Sequence, residues 1–189
     1  MARGYETRAK IERSSLELFV QKGIAATTTR EISAGAGISE GAIYRHFESK
    51  DEIAFELFKK IHIRLAEEID DIATSGKSID DKARAVVTTY VTLADEDPLL
   101  FSYHLRFQHL FFDRYNARKR PNPVDNVERI IGDAIAAGEI PSGDPILLGA
   151  MALGIVIQPS AHRAYGRLEG PFEQHIDHFT RAVLAVLKA

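Results

Sequence analysis

The sequence predicts an all-α protein: an N-terminal three-helix helix-turn-helix domain followed by a C-terminal helical bundle, about nine helices in all. Apolar residues recur at three- and four-residue steps along most of the chain. Capping signals stand where those stripes begin, and no stretch alternates apolar and polar residues as a half-buried strand would. At 189 residues, 45% hydrophobic and 27% charged, the chain has room for one medium domain or two small ones sharing a core.

The elements follow in order. Ile11, Leu18 and Phe19, with the small Ser14 and Ser15, face one side of a first helix, and Gly23 suits its C-cap. Thr28-Thr29-Arg30-Glu31 is a capping box, so a second helix starts there. It runs into Gly35-Ala36-Gly37, where glycine can take the positive φ of a tight turn. Ser39 suits the N-cap of a third, short helix ending near Phe47. Ser49-Lys50-Asp51-Glu52 is a second capping box, opening a long helix with Ile53, Leu57, Ile61, Leu65, Ile69 and Ile72 on its stripe. Ala83, Val86, Val87, Tyr90, Val91 and Ala94 mark the next helix. Asp97 caps another that starts at Pro98. RKRPNP (118–123) reads as a loop, and the helix after it stops at Gly138. Two last helices cover 145–165 and 171–187. The expected division is 1–48 for the helix-turn-helix domain and 49–189 for the C-terminal bundle.

Composition excludes several classes. With no cysteine there is no disulfide, thiolate zinc site or cysteine nucleophile, which fits a cytoplasmic location. MARGYETRAKIERSS lacks the apolar core of a signal peptide. The uncharged run Pro145–Ala161 falls short of the ~20 apolar residues that cross a bilayer, so no membrane association is expected. Residues 1–50 hold eight Lys and Arg against six Asp and Glu, a balance of +2 on a chain of net charge −3. A basic head on an acidic body suits a polyanionic partner.

Gly37-Ile38-Ser39-Glu40-Gly41 matches the G-x-S-x-G nucleophile elbow, but an elbow needs a hydrophobic strand before its serine. The preceding TTTREISAGAG is capped and helical. Ser39 is therefore read as a cap, and the segment as helix, glycine turn, short helix. Counting ~100° per residue from Glu40 turns Ile43 and Phe47 inward and Gly41, Ala42 and Arg45 outward, flanked by Tyr44 and His46. Gly41 and Ala42 let backbone approach base edges, Arg45 can take guanine or phosphate, and Tyr44 and His46 can donate to phosphates. Thr29 and Arg30 stand at a helix start whose free amides attract phosphate, as does Lys50.

These residues resemble a known family. TTTREISAGAGISEGAIYRHFESKDEI, with IERSSLELFVQKG before it, is similar to the DNA-binding domain of TetR-family transcriptional regulators over about residues 7–53. Tyr44-x-His46-Phe47 with Lys50 is a specific part of that signature, and GDAIAAGEIPSGDP (132–145) resembles its weaker C-terminal pattern. The resemblance implies a TetR-like fold, a homodimer on double-stranded operator DNA, and a small-molecule inducer bound in the C-terminal domain. It implies DNA contacts at Thr29, Arg30, Ser39, Gly41, Ala42, Tyr44, Arg45, His46 and Lys50. Two positions depart from the pattern: Glu40 is acidic where lysine or a polar amide is common, and Ala42 replaces a commoner threonine.

Two further sites are expected. PLLFSYHLRFQHLFFDRY, from Pro98, is apolar on nearly every side yet carries scattered polar groups that need partners. Tyr90, Phe101, Tyr103, His104, Phe107, Gln108, Phe111 and Gln158 would line a ligand pocket, with His104 and Gln108 as polar contacts. Phe172, Ile176, Phe179, Val183 and Val186 recur at coiled-coil spacing and, with Leu148, Met151 and Ile155, would form a four-helix interface between subunits. His175 and His178 lack an evident third ligand, so no metal is expected. No Walker loop or dinucleotide fingerprint occurs, and no cofactor or catalytic residue is assigned. The expected function is a ligand-responsive regulator, in the first instance a repressor. A helical enzyme or a non-DNA-binding scaffold on the same fold is the alternative.

Overall fold

Caps set the element boundaries. The computed structural model describes residues 2–116 and 122–189. Among the described residues the elements are α1 (Ala2–Lys22), α2 (Thr29–Ala36), α3 (Glu40–Ile43), α4 (Lys50–Thr74), α5 (Ile79–Glu96), α6 (Pro98–Asn116), α7 (Pro123–Ala136), α8 (Pro145–Ala164), a single 3-10 turn at Glu173–His175, and α9 (Ile176–Leu187). The box at α2 forms as expected: the Glu31 amide donates to Thr28 Oγ1 at 3.3 Å and the Thr28 amide to Glu31 Oε2 at 2.9 Å. Asp97 caps α6 through the Leu100 amide at 3.0 Å. Gly138 closes α7 with φ 72°, its amide donating to the Ile135 carbonyl at 3.0 Å.

Four expectations change. In the second box the Glu52 amide donates to Ser49 Oγ at 3.1 Å, but the Glu52 carboxylate takes the Glu48 amide instead of that of Ser49. The third helix is a single turn, Glu40–Ile43, continued to Phe47 by amides that return to the Ile43 carbonyl. The last helix begins at Ile176 and not at 171, because Phe172 to His175 wind as a 3-10 turn. Of the expected loop 118–123, residues 118–121 lie outside the described residues, and Asn122 already caps α7 by accepting from the Val124 amide at 3.0 Å.

Two cores result, and α4 feeds both. The first gathers Ile11 and Phe19 of α1, Ile32 of α2, Ile43, Phe47, and Ile53 to Phe58 of α4, and α6 completes it with Tyr103, Phe107, Phe111 and Tyr115. The second takes Ile61, Leu65 and Ile69 of α4 together with α5, α7, α8 and α9. Each fully buried aromatic or aliphatic side chain contributes about 1.5–3 kcal/mol relative to exposure, so the head is stabilised largely by α4 and α6. Polar ties reinforce the seam. The Tyr103 hydroxyl donates to the Ala54 carbonyl at 2.8 Å, and Arg106 Nη1 to the Val20 carbonyl at 2.8 Å. Glu12, nearly buried, takes Lys60 at 2.5 Å and Arg8 at 3.2 Å.

The crossing of α1 and α2 leaves no room for a methyl group at Gly35. A Cβ there would lie 2.4 Å from Ser14 Oγ, which itself donates to the Ile32 carbonyl at 3.0 Å. Gly35→Ala should therefore destabilise the protein by about 1–3 kcal/mol despite alanine's better helix propensity. Adding Ser14→Ala should restore most of the loss in urea denaturation. An alanine variant as stable as wild type would show that the helices can separate freely.

Candidate nucleic-acid interface and internal cavity

α2 ends at Gly37 in the left-handed region, φ 66°, with the Ile38 amide donating to the Ser33 carbonyl at 3.0 Å. That turn swings α3 across α2, and Ile43 and Phe47 anchor it in the first core. Arg30, Ser39, Gly41, Tyr44 and Arg45 are exposed, while Thr29, His46 and Lys50 are half-buried. Tyr44, 55% exposed, is a large ring left in water beside a cation, which suits a phosphate wall more than a core. A Cβ added at Gly41 would meet nothing within 4 Å, so no contact inside the chain requires glycine there.

Several predicted residues sit differently. Ala42 is buried, 5% exposed, and not outward: α3 is one turn wedged against α2, so more of its circumference is covered than a free wheel implies. Ser39 holds the N-cap backbone conformation, but its hydroxyl caps nothing and stays exposed. Lys50 Nζ is engaged by the Thr27 and Ala25 carbonyls at 2.6 and 3.2 Å, so it clamps the loop between α1 and α2. Glu40 is oriented by Thr29, whose hydroxyl donates to its carboxylate at 2.5 Å.

A cavity of about 50 Å³ lies between α4, α5, α6, α8 and the start of α7. Of the eight predicted pocket residues, Tyr90, His104 and Gln108 line it. Phe101, Tyr103, Phe107, Phe111 and Gln158 do not. The reason is register. His104, Gln108 and Phe112 form one i, i+4 row of α6, and Tyr103, Phe107 and Phe111 form the adjacent row, turned ~100° into the first core. Phe101 packs in the second core against Tyr90, and Gln158 is exposed.

Three residues from α4 were missed: Phe58, His62 and Leu65 line the same cavity. His62 stands four residues after Phe58 and three before Leu65, a polar residue on a buried stripe, which was the available signal. Both histidines are almost wholly buried, at 4% and 3% exposure, with ring centroids 5.6 Å apart. Neither ring nitrogen of His62 has a partner, nor has His104 Nδ1. Burial lowers the His62 pKa to about 4. Burial, then the neighbouring His62, lowers that of His104 to about 3, against a small opposing effect of its hydrogen bond to the Phe58 backbone. Both rings are neutral at pH 7.

The third expected surface is split. Phe172 and Val183 are buried within the chain, Phe172 under the Arg163 guanidinium at 4.3 Å. Ile176, Phe179, Val186, Leu148 and Ile155 are half-covered, and Met151 is 48% exposed. By length and composition α8 is apolar enough to cross a membrane, with mean hydropathy 1.4, but it packs on α6, α7 and α9. Only 28% of its most apolar window is buried within the chain, and Ile146 and Leu147 stand in water beside Met151.

Residues 11–57 match the model of the bacterial regulatory proteins, tetR family. Over 48 residues, 25% of its length, the chain is 48% identical to the uncharacterized HTH-type transcriptional regulator YerO of Bacillus subtilis (strain 168). That alignment takes in 17% of YerO, so the chain matches a small part of this relative's length. Likeness to solved structures runs the whole length. The ketosteroid transcriptional regulator KstR2 of Mycobacterium tuberculosis superposes with TM-score 0.77 at 20% identity, covering 96% of this chain and 95% of that one. The transcriptional regulator FadR from Bacillus subtilis, in complex with stearoyl-CoA, gives TM-score 0.75 at 18% identity, covering 94% and 98%. A helix-turn-helix head on a helical bundle defines the class: residues 11–57 are similar to the tetR-family head, and the whole chain shares the fold of these regulators.

The neutral histidines predict acid sensitivity. An unfolded chain protonates each near pH 6.5, whereas the folded one resists down to about 4 and 3. The unfolded state then binds more protons, so stability falls as pH drops below 6.5 and the loss levels off below the folded values. At pH 5 the cost is about 2 kcal/mol per histidine. His62→Phe should gain about 2 kcal/mol on wild type between pH 7.5 and pH 5 in paired urea titrations. A difference independent of pH would mean that His62 is not neutral in the fold.

Proposed function

We propose that this protein is a cytoplasmic, ligand-responsive transcriptional regulator, most simply a repressor. A homodimer would hold a near-palindromic operator until a lipophilic small molecule releases it. The observation that carries the reading is the α2–α3 face. It presents Gly41, Tyr44, Arg45, Ser39 and Arg30 to solvent on a helix anchored by Ile43 and Phe47. On this reading residues 1–48 meet DNA and 49–189 bind ligand and partner, and α3 enters the major groove. Thr29, His46 and the third proton of Lys50 add phosphate contacts, and the Ala42 methyl supports the helix from beneath. A lipophilic ligand is favoured by the apolar cavity walls; of two proteins of like fold, one is named a ketosteroid transcriptional regulator and the other is described in complex with stearoyl-CoA. No observation favours a catalytic role.

Gly41→Ala tests the groove contact without disturbing the fold, because its added methyl meets only solvent. It should leave thermal stability unchanged or slightly raised and weaken operator binding at least several-fold. Arg45→Ala should cost about 1–3 kcal/mol and relax preference at one operator position. Tyr44→Phe should weaken specific and non-specific duplex alike. Full operator affinity in all three variants, by gel shift at fixed salt, would remove α3 from the groove.

The partly covered residues of α8 and α9 give the subunit contact on this reading: Leu148, Met151, Ile155, Ile176, Phe179 and Val186, joined by Leu147. A twofold contact through them would bury the apolar side of α8. Met151→Glu and Phe179→Glu should each give monomers in sedimentation, with helical circular dichroism retained and operator binding lost. Dimers persisting in both would put the interface elsewhere.

A further inference from the structure

We propose that the cavity takes the head of an apolar organic acid, a carboxyl group that enters with its proton and is held between His62 and His104. The inference rests on the cavity being the effector site proposed above. The wall decides the chemistry. Its titratable side chains are His62 from α4, Tyr90 from α5 and His104 from α6; α7 and α8 add only amide and apolar groups. Tyr115, edge-on to His62 at 4.4 Å, is the other titratable ring nearby. No Lys, Arg, Asp or Glu lines the space among the described residues.

A ligand with a fixed charge, such as a sulfonate or a quaternary ammonium, would therefore enter without a counter-charge. A purely apolar ligand would leave three buried ring nitrogens as unsatisfied as they are now. A carboxyl group has one donor and two acceptor oxygens. His104 donates one ring N–H to the Phe58 backbone, which leaves Nδ1 as an acceptor for the acid O–H. His62 carries one N–H, which can donate to the second carboxyl oxygen. If the proton passes to an imidazole, carboxylate and imidazolium neutralise each other and the proton count is the same. About 50 Å³ suits a head group alone. The chain of the acid would leave past Gln108, Phe112 and Val124, lining residues that are exposed to solvent.

The test uses decanoate, decanol and decyltrimethylammonium with the full-length protein, by calorimetry at pH 6.5, 7.5 and 8.5. Decanoate affinity should fall about tenfold per pH unit, because each bound anion brings one proton. Heats in two buffers of different ionisation enthalpy should report uptake of close to one proton at pH 7.5. Decanol should bind with no pH dependence, and the cation should not bind. In nitrogen-15 spectra the ring signals of His62 and His104 should move on saturation with decanoate. His62→Phe should weaken decanoate several-fold by removing one donor, keep its pH slope, and leave decanol binding in place. A decanoate affinity independent of pH, preference for the cation, absence of any binding, or unmoved ring signals would each overturn the proposal. Operator release is read separately. Decanoate that binds with proton uptake yet leaves DNA bound would support the cavity chemistry and overturn the effector role.

Discussion

The ring of Phe58, fully buried in α4, is packed by both halves of the molecule. On one side it meets Phe111 and Tyr115 of the first core, with centroids 5.4 and 5.9 Å away. On the other it stacks on His104 at 5.1 Å, the rings nearly parallel, and lies 4.7 Å from His62, so it also forms a wall of the cavity. Close packing transmits such contacts, because interiors have little free volume and side chains move by discrete repacking. The same ring thus borders the cavity and packs in the core of the head.

This arrangement limits how a ligand can act. A molecule bound equally well with the head in two positions shifts nothing, whatever its affinity. The differential contact must therefore involve groups that move with the head. On α6 these lie back to back: the row of His104, Gln108 and Phe112 faces the cavity, and the row of Tyr103, Phe107 and Phe111 faces the head. Tyr103 is tied to the Ala54 carbonyl, and Arg106 to the end of α1. Translation or rotation of α6 would thus disturb both rows, so on the proposed reading α6 with α4 would link occupancy to the position of the reading helix.

The sequence made some features legible and hid others for physical reasons. Cap chemistry is local, so the Thr28–Glu31 box, the Asp97 cap and the glycine turn at Gly37 were readable at short range. The register of α6 was not, because a helix apolar on every side offers no preferred face, and two adjacent rows of aromatics compete for the pocket. His62 was passed over because it sits on a stripe that reads as core, although a buried histidine with two unpartnered nitrogens is costly as core alone. The stripe of α9 showed the opposite ambiguity. Periodicity identifies an apolar seam but not whether it packs within the chain, as Phe172 and Val183 do, or remains partly open, as Phe179 and Val186 do.

Net charge carries less of the reading than its distribution does. A balance of +2 over the first fifty residues is weak for a surface that meets a polyanion. Distribution matters more than the sum. Arg8, Lys10, Arg13 and Lys22 each hold a carboxylate within the head, at Glu12, Glu6, Glu17 and Glu31. Lys50 is spent on two carbonyls. Arg30 and Arg45 form no ion pair among the described residues, and both lie exposed on the α2–α3 face. Pairing elsewhere cancels field that would otherwise spread over the head, while the face keeps its cations unneutralised. Glu40, exposed at the start of α3, adds an acidic group to the same face, and Thr29 fixes its carboxylate. A surface of that kind gives up general attraction for phosphate, because few counterions are displaced. On the proposed reading it would gain discrimination, because a misplaced base or phosphate would meet a carboxylate.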